Sequence, residues 1–280
     1  MSLVQEHGFK RNAVCRALGL ARSTSYAESE AQETTDFDAV LREEAGKHPR
    51  AGSRMLSTYL KRRGVAHAGR NRVRTAMQRL GIIHRPKRRI VRTTNSRHGF
   101  ERYPNLVLHR AAETTDEIWV ADITYIRLEH GFVYLAVILD MYTRVIRGWA
   151  LEATMEQSLT LSALDMALEN HTPTIHHSDH GVQYAAIAYT ERLSTAGVAI
   201  SMASIGEPTE NGYAERLMRT IKEEEVSLTE YADIDDAQRH IGPFLTDVYN
   251  TKRPHSSLGY LTPEEFQALA SLAEPITFVK

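Results

Sequence analysis

Residues 174–184 read Thr-Ile-His-His-Ser-Asp-His-Gly-Val-Gln-Tyr, and the interpretation of the whole chain starts from this stretch. A short apolar-to-polar run ends at Asp179, and a glycine follows two residues later. This pattern is typical of a buried strand that carries a carboxylate to the edge of a sheet and then turns. Because Asp-x-Gly is common in turns, Asp179 is either a turn-forming residue or a functional acid.

The composition is that of a globular protein without a membrane span. Of the 280 residues, 42% are hydrophobic and 25% are charged, and the length fits about two domains. No apolar run reaches the roughly 18 residues that a membrane helix needs, and the N-terminus lacks the apolar segment of a secretory signal. The single cysteine, Cys15, excludes an internal disulfide and fits a reducing compartment. We therefore expect a cytoplasmic protein with no membrane partner.

The net charge of −1 conceals a division of charge along the chain. Residues 1–110 carry 23 Lys and Arg against 9 Asp and Glu, whereas residues 111–280 carry 11 against 26. A basic half joined to an acidic half predicts a polyanion-binding module followed by a module with another task. The acidic half is either a solvated surface or a place where carboxylates gather around a cation.

Two helix–turn–helix patterns are predicted in the basic half. The first falls within residues 1–30, where a plain helical hairpin is the alternative. The polar, acidic residues 28–36 are expected to be a linker. The second pattern falls within residues 37–92, the predicted helical DNA-binding domain with its basic linker, and residues 93–115 are expected to form the hinge into the second domain.

The predicted DNA contacts are basic side chains of the second pattern and of the basic stretch that follows it. The polar face of the third predicted helix carries four arginines, and three of the five basic residues of the stretch 85–92 are added to them: Arg70, Arg72, Arg74, Arg79, Lys87, Arg88 and Arg89. Arginines at this density with few acids nearby favour phosphate contact, and a merely solvated face is the alternative. The stretch 85–92 is expected to be extended, either as a flexible linker or as an arm along DNA.

From Glu117 the hydrophobic period changes from that of helices to that of strands. Three strands with short antiparallel connections are predicted, followed by alternating helices and strands: 118–126, 132–140, 144–151, helix 155–170, the strand ending at Asp179, helix 185–196, strand 198–202, and a helix from about Thr209. This order predicts an α/β fold, a mixed sheet with helices on its faces, within residues 113–270.

Two aspartates are expected to meet at the centre of this sheet. Asp122 lies in the first strand between apolar residues, so its carboxylate must be paired, hydrogen bonded or bound to metal. The first and fourth strands can lie side by side, which would place Asp122 opposite Asp179. Because two close carboxylates repel each other, they require either a proton or a cation, and oxygen ligands suit Mg²⁺ or Mn²⁺.

A third acid is expected from the helix that begins near Thr209. Glu207, Glu210 and Glu215 are the candidates, and Glu215 is the best placed because it lies beyond the helix start. Glu210 falls in the first turn, where an acid often only complements the helix dipole. A plain surface glutamate remains the alternative for Glu215.

Histidines and an arginine near these acids offer other interpretations. Three histidines, His176, His177 and His180, surround Asp179 and with it make a fair zinc set. Adjacent residues of a strand point to opposite faces, however, so the first two cannot both bind one metal, and packing or a supporting role is favoured for His177. Arg253 and His255 lie in a polar loop, where they either contact DNA phosphate or dock the C-terminal helix.

Four motifs together resemble a known family. They are Trp-Val-Ala-Asp-Ile-Thr at 119–124, His-Ser-Asp-His-Gly-Val-Gln-Tyr at 177–184, Glu-Asn-Gly-Tyr-Ala-Glu-Arg at 210–216, and Tyr-Asn-Thr-Lys-Arg-Pro-His-Ser-Ser-Leu-Gly-Tyr at 249–260. The chain resembles the retroviral-integrase-like DDE transposases of bacterial insertion sequences, and most closely the second-frame (OrfB) product of the IS-three family. The 35 residues between Asp179 and Glu215 match that family's interval, and residues 37–83 resemble its accessory helix–turn–helix.

Small departures from the family pattern lie beside the third acid. The family commonly has Asp-Asn-Ala where this chain has Glu-Asn-Gly at 210–212, and Gly-Asn-Pro where it has Gly-Glu-Pro at 206–208. These differences concern the subgroup and the fine geometry of the site, because Glu215 itself is retained.

The resemblance implies a fold, an activity and partners. It implies a ribonuclease H-like five-stranded sheet in which Asp122, Asp179 and Glu215 bind two Mg²⁺ (or Mn²⁺) ions. It implies DNA strand cleavage and 3′-hydroxyl strand transfer at insertion-sequence ends, by a homo-oligomer on double-stranded element-end and target DNA, with the first-frame (OrfA) product as a further partner. The alternatives are a non-catalytic DNA-binding regulator derived from a transposase, against which the intact acids argue, and a stand-alone metal-dependent nuclease.

Overall fold

The computed structural model describes residues 15–17, 19, 22–82, 103–204 and 207–272. The chain divides into two compact units, Met1–Lys87 and Arg88–Lys280. Most of the predicted first helix–turn–helix and the predicted DNA contacts Lys87, Arg88 and Arg89 lie outside the described residues. In the ranges that are described, every helix is too short or too polar to cross a bilayer.

Residues 22–82 of the N-terminal unit contain three helices, and the predicted helical nature of residues 37–83 agrees with them as far as residue 82. They are α1 (Arg22–Lys47), α2 (Ser53–Arg62) and α3 (Arg70–Arg79). Gly64 and Gly81 follow α2 and α3 with left-handed φ angles of 76° and 68°, the conformation in which glycine commonly ends a helix. The apolar stripes of the three helices meet in one small core formed by Phe37, Leu41, Leu56, Leu60, Val73 and Met77.

The prediction of a linker at residues 28–36 is wrong, because these residues lie inside α1. The stretch is polar, yet it contains no glycine or proline, and glutamate, alanine and glutamine are good helix formers. A polar, acidic composition therefore did not interrupt the helix, which continues into the amphipathic segment beginning at Phe37.

A five-stranded mixed sheet forms the centre of the second unit and confirms the predicted fold class. The strands are β1 (Ile118–Arg127), β2 (Phe132–Asp140), β3 (Ile146–Glu152), β4 (Ile175–Ser178) and β5 (Ala199–Met202). Their spatial order is β3-β2-β1-β4-β5. Strands β1 to β3 are joined as antiparallel hairpins, whereas β4 pairs in parallel with both β1 and β5. The first and fourth strands are therefore neighbours, as the sequence predicted.

Helices cover both faces of this sheet. They are α4 (Gln157–Leu168), α5 (Ile187–Thr195), α6 (Gly212–Ile221), α7 (Ile234–Pro243) and α8 (Pro263–Leu272), with a 3-10 turn at Pro208–Asn211, a 3-10 turn at Ser256–Leu258 and π-helical turns at Lys222–Val226 and Phe244–Asn250. Alternate residues of β1 serve opposite faces, because side chains alternate along a strand. Trp119 and Ala121 pack with α4 and α5, and Ile118 and Val120 pack with α6 and α7.

The described part of the expected hinge is attached to the sheet. The backbone N–H of Met202 donates to the Pro104 carbonyl at 3.4 Å, and the N–H of Leu106 donates to Ser201 Oγ at 2.8 Å. Residues 103–107 of the stretch 93–115 therefore lie along β5 and belong structurally to the second unit.

Gly148 in β3 allows helix α4 to approach the sheet closely. A Cβ atom at this position would lie 2.2 Å from the carbonyl oxygen of Ala163 and 2.9 Å from the Cβ of Ala167. Because the nearest atom belongs to the helix backbone, rotation of a side chain cannot relieve the clash. The sequence at this position therefore sets the distance between β3 and α4.

We predict that Gly148→Ala lowers the free energy of unfolding of the second unit by about 3 kcal/mol or more, since overpacking forces the backbone to shift. Gly212→Ala is the matched control, because a Cβ there meets no atom within 4 Å and the residue is helical. The control is expected to be unchanged or stabilised by up to about 1 kcal/mol. Urea denaturation followed by circular dichroism measures both, and equal stability of the two variants would contradict the close approach.

Candidate active site

The parallel pairing of β1 with β4 aligns the two predicted aspartates. Ile118 pairs with Ile175, and Val120 pairs with His177. Continuing this register by two residues brings Asp122 level with Asp179, which follows directly after β4. The structure therefore brings together the two acids that the sequence placed on neighbouring strands.

Asp122 lies in an electrostatic environment that disfavours its charge. Its Oδ1 accepts a hydrogen bond from the backbone N–H of Ile123 at 2.8 Å. Burial, the charge of Asp179 and, more weakly, the charge of Glu215 together raise the pKa of the Asp122 carboxyl to about 7, against the opposing effects of the Ile123 hydrogen bond and the Lys222 ammonium. The charges of Asp179 and Glu215 therefore both act on the Asp122 carboxyl.

Asp179 is held by the turn that the sequence suggested. Its Oδ1 accepts from the backbone N–H of Gly181 at 3.0 Å, and the N–H of Tyr184 donates to the Gly181 carbonyl at 3.1 Å. A Cβ at Gly181 would lie 2.9 Å from Asp179 Oδ1, so the absence of a side chain leaves room for the carboxylate. The turn interpretation is right, and the same turn holds the acid beside Asp122.

Glu215 is carried by α6, whose position relative to β1 is fixed by an amide. The side chain of Asn211, just before the helix, donates from Nδ2 to the Ala121 carbonyl at 3.0 Å. The buried stripe Ala214, Leu217, Met218 and Ile221 then seats α6 on the sheet. Glu215 itself is exposed and interacts with Asp122.

The competing acid Glu210 has a different role. Its Oε2 accepts from Asn105 Nδ2 at 2.7 Å and from the backbone N–H of Ser204 at 2.6 Å, and these hydrogen bonds lower its pKa. Its charge acts on the buried ring of His177. Glu210 therefore joins loops beside β5, whereas Glu215 interacts with Asp122.

Lys222 is a member of this site that the sequence reasoning missed. Its Nζ lies 4.7 Å from the centroid of the Tyr125 ring, and burial lowers its pKa while the Asp122 charge opposes that shift. The signal was present in the spacing, because Lys222 follows Glu215 by seven residues, or about two helical turns.

The carboxylates have the chemistry of a divalent-cation site, although they are not yet arranged as one. No group of three or more His, Cys, Asp or Glu side chains in the described ranges is positioned to hold a metal ion. Carboxylate oxygens are nevertheless the ligands that Mg²⁺ and Mn²⁺ prefer. The raised pKa of Asp122 means that a nearby positive charge would favour its ionised form, and Glu215 is exposed.

The histidines near Asp179 serve the core of the unit. Burial lowers the pKa of His176 to about 3 and that of His177 to about 4, so both are neutral at pH 7. The His176 ring is hydrogen bonded to the Tyr189 hydroxyl at 2.9 Å, and the His177 ring to Ser201 Oγ at 2.8 Å. The two rings therefore have separate partners, as expected for adjacent strand residues.

A buried tyrosine beneath the acids has an unsatisfied hydroxyl. Tyr184 packs edge-to-face on Tyr189 with ring centroids 5.4 Å apart. Its hydroxyl is buried and has no hydrogen-bond partner among the described residues. Burial raises the Tyr184 pKa well above its usual value, and the charges of Asp122 and Asp179 contribute. Tyr189, by contrast, has its partner in His176.

We predict opposite effects of removing these two hydroxyls from the metal-free protein. Tyr184→Phe is expected to leave the free energy of unfolding unchanged or to raise it by about 1 kcal/mol, because a buried unsatisfied group is removed. Tyr189→Phe is expected to lower it by about 1–2 kcal/mol, because the His176 ring loses its partner. Urea denaturation measures both, and a clear loss of stability in Tyr184→Phe would show that its hydroxyl is bonded.

The predicted DNA-contacting arginines of α3 differ in their surroundings. Arg70 and Arg74 are exposed and form no ion pair within the described part of the chain. The guanidinium of Arg72 lies 4.2 Å from the centroid of the Phe37 ring, and Arg79 is paired with Asp38. Arg70 and Arg74 are therefore the α3 arginines most available to an external phosphate.

The prediction that Arg253 contacts DNA is not supported by its position. Arg253 is buried, and its Nε and Nη2 donate to the two carboxylate oxygens of Glu224 at 2.7 and 2.6 Å. Its guanidinium is thus already neutralised, and the docking alternative for this loop describes Arg253 better. The sequence could not reveal this because Glu224 lies 29 residues earlier.

Matches to known families identify an integrase-type polynucleotidyl transferase core, which a helix–turn–helix unit precedes in the chain. The Integrase core domain family matches residues 112–208, a second Integrase core domain family matches residues 196–263, and an HTH-like domain family matches residues 32–89. A chain of the simian T-cell lymphotropic virus intasome, in complex with PP2A regulatory subunit B56 gamma, superposes with a TM-score of 0.50 and 18% identity. The superposition covers 82% of this chain and 77% of that chain, and it shows the fold alone.

The chain belongs to the insertion-sequence transposases. It is 34% identical to the insertion element IS600 uncharacterized 31 kDa protein of Shigella sonnei, over 91% of this chain and 97% of that protein. It is 34% identical to the transposase for insertion sequence element IS629 of Shigella sonnei, over 78% and 74%. Its 26% identity to transposase InsF for insertion sequence IS3A of Escherichia coli K12, over 92% and 94%, confirms the resemblance to the IS-three family.

Proposed function

We propose that this transposase cleaves DNA at the ends of its element and joins the freed 3′-hydroxyl to target DNA, with Asp122, Asp179 and Glu215 as the catalytic acids. The observation that carries this proposal is the strand register that brings Asp122 level with Asp179, together with the charges of Asp179 and Glu215, which add to burial in raising the pKa of Asp122 to about 7. Such a concentration of negative charge at a sheet edge is typical of a site that works with a bound cation. The intact set of acids argues against the regulator alternative.

The three acids would hold two divalent ions, Mg²⁺ or Mn²⁺. When bound, such ions stabilise the attacking and leaving oxygens of an in-line displacement at phosphorus. Because the pKa of Asp122 is about 7, its carboxyl is mostly protonated below that pH. Metal binding below pH 7 therefore requires the release of this proton. Lys222 is well placed to hold a phosphate oxygen of the cleaved strand, since its ammonium lies beside Asp122 and over Tyr125.

The two units divide the work in this proposal. Residues 37–92 bind DNA through exposed basic side chains, of which Arg70 and Arg74 are the best supported, and residues 113–270 carry out the reaction. The protein acts in the bacterial cytoplasm as a homo-oligomer on paired element ends, because each end must meet the same target. The first-frame product of the element is a further candidate partner for end recognition.

We predict that Glu215→Gln abolishes cleavage and strand transfer, lowering the rate at least about 100-fold, because one of the three carboxylates is lost. Glu210→Gln is the matched control on the same segment, and it is expected to retain most activity. The measurement follows end-labelled element-end duplex in Mg²⁺ or Mn²⁺, with Asp179→Ala as a second inactive variant.

The comparison between the two glutamates decides the third acid. Full activity in Glu215→Gln together with loss in Glu210→Gln would assign the role to Glu210 and overturn the proposed site. Thermal denaturation of both variants separates a loss of chemistry from a loss of fold.

We predict that DNA binding in EDTA depends on Arg70 and Arg74. Since each phosphate contact contributes about 0.9 to the slope of log affinity against log salt, the double variant Arg70→Gln/Arg74→Gln should lower that slope by about two. Arg79→Gln is the control with a paired arginine and should change the slope little. Fluorescence anisotropy between about 50 and 200 mM salt measures the slope, and an unchanged slope in the double variant would exclude α3 from the DNA contact.

A further inference from the structure

The C-terminal motif at 249–260 lies against the turn after β2 and the first turns of α6, and this region gathers guanidinium groups. We call it the arginine cluster and define it by six residues: Arg144, Tyr213, Arg216, Tyr249, Arg253 and His255. The cluster belongs entirely to the second unit. No part of it is among the proposed catalytic acids.

Arg144 is fixed by the turn after β2. The residue has a left-handed φ of 64°, which is uncommon for a side chain of this size, and its N–H donates to the Asp140 carbonyl at 3.0 Å. Its guanidinium lies 4.0 Å from the centroid of the Tyr213 ring, near the start of α6. This contact is a cation–π pair, which holds the charge in place without neutralising it.

The arginines of the cluster are unequally neutralised. Arg253 is paired with Glu224 through two hydrogen bonds. Arg144 and Arg216 form no ion pair with any carboxylate in the described parts of the chain. Arg216 is exposed, whereas Arg144 is half-buried and its Nη1 has no hydrogen-bond partner among the described residues. The cluster therefore contains one arginine that is paired with a carboxylate and two arginines that are not.

The charges of Arg253, Arg144 and Arg216 all act on the ring of His255. Its ring packs edge-to-face on Tyr249 at 4.9 Å and lies 3.3 Å from Arg253 Nη1. Burial and, in decreasing order, the charges of Arg253, Arg144 and Arg216 together lower its pKa to about 3. His255 is therefore neutral at pH 7, and the surplus positive charge of the cluster resides on Arg144 and Arg216.

Helix geometry sets this surplus apart from the catalytic acids. Tyr213 and Arg216 are three residues apart and share one side of α6. Glu215 and Lys222 are seven residues apart and share another, because seven residues make about two turns. The helix thus carries Glu215 on one flank and Arg216 on another.

We propose that Arg144, Arg216 and Tyr213 form a phosphodiester-binding site that anchors the backbone of DNA on the flank of α6 away from the catalytic acids. Guanidinium groups are the preferred partners of phosphate oxygens, and the exposed Tyr213 ring offers a surface for the sugar or base beside the phosphate. The proposal rests on the proposed function, because it assigns a second contact to the same DNA. It makes α6 the element that aligns the bound strand with Glu215.

The test measures metal-free DNA binding by the full chain. A 40-base-pair duplex is titrated in EDTA over a range of salt, with Arg144→Gln, Arg216→Gln and the double variant. Each single change is expected to lower the salt slope by about 0.9 and the double change by about twice that. Arg144→Lys should restore most of the slope, since lysine keeps the charge. Arg192→Gln, on α5 and paired with Asp165, removes the same charge elsewhere and should leave the slope unchanged.

The outcomes separate this site from the proposed activity. If Asp179→Ala abolishes cleavage while the double variant keeps the wild-type slope and a wild-type melting temperature, the phosphodiester site is wrong and the active site stands. If the double variant loses slope while Asp179→Ala still cleaves DNA, the active site is wrong and the phosphodiester site stands. An equal loss of slope in Arg192→Gln would show that only net charge matters and would also overturn the proposal.

Discussion

The parallel pairing of β1 with β4 is the constraint on which the candidate site depends. Its register brings Asp122 level with Asp179, although the two residues are far apart in the sequence. The pairing also places Asp122 where burial and the neighbouring carboxylates oppose its ionisation. The pKa of Asp122 is therefore raised to about 7. The fold thus holds an arrangement that is unfavourable for the protein alone and favourable for a site that receives positive charge.

Much of this arrangement could be predicted from the sequence, because it follows from local patterns. Alternating and continuous apolar runs gave the strands, short connections gave the hairpins, and the order of elements left β1 and β4 as neighbours. Long-range pairing was not accessible in the same way. Arg253 looked available in a polar loop, but Glu224 from a distant turn neutralises it. Residues 28–36 looked like a linker because they are polar, although helix propensity, not polarity, decided their conformation.

The basic residues of the chain do not form one uniform class. Some, such as Arg79 and Arg253, pair with acids of the same unit, and these acids neutralise their charge. Others, such as Arg74 and Arg216, are exposed without a carboxylate partner in the described residues. The number of arginines in the sequence therefore overestimates the number that can contact DNA. The two groups are distinguished by whether each arginine is paired with a carboxylate. The division of charge between the halves of the sequence is a coarse guide for the same reason.

The amide of Asn211 has a consequence for how this family can vary. It joins α6 to β1 through the carbonyl oxygen of Ala121, a backbone atom that every amino acid supplies. A substitution at Ala121 therefore keeps the acceptor that holds the helix carrying Glu215. The position of the helix therefore does not depend on which side chain stands at residue 121, because the Asn211 amide contacts only the main chain there.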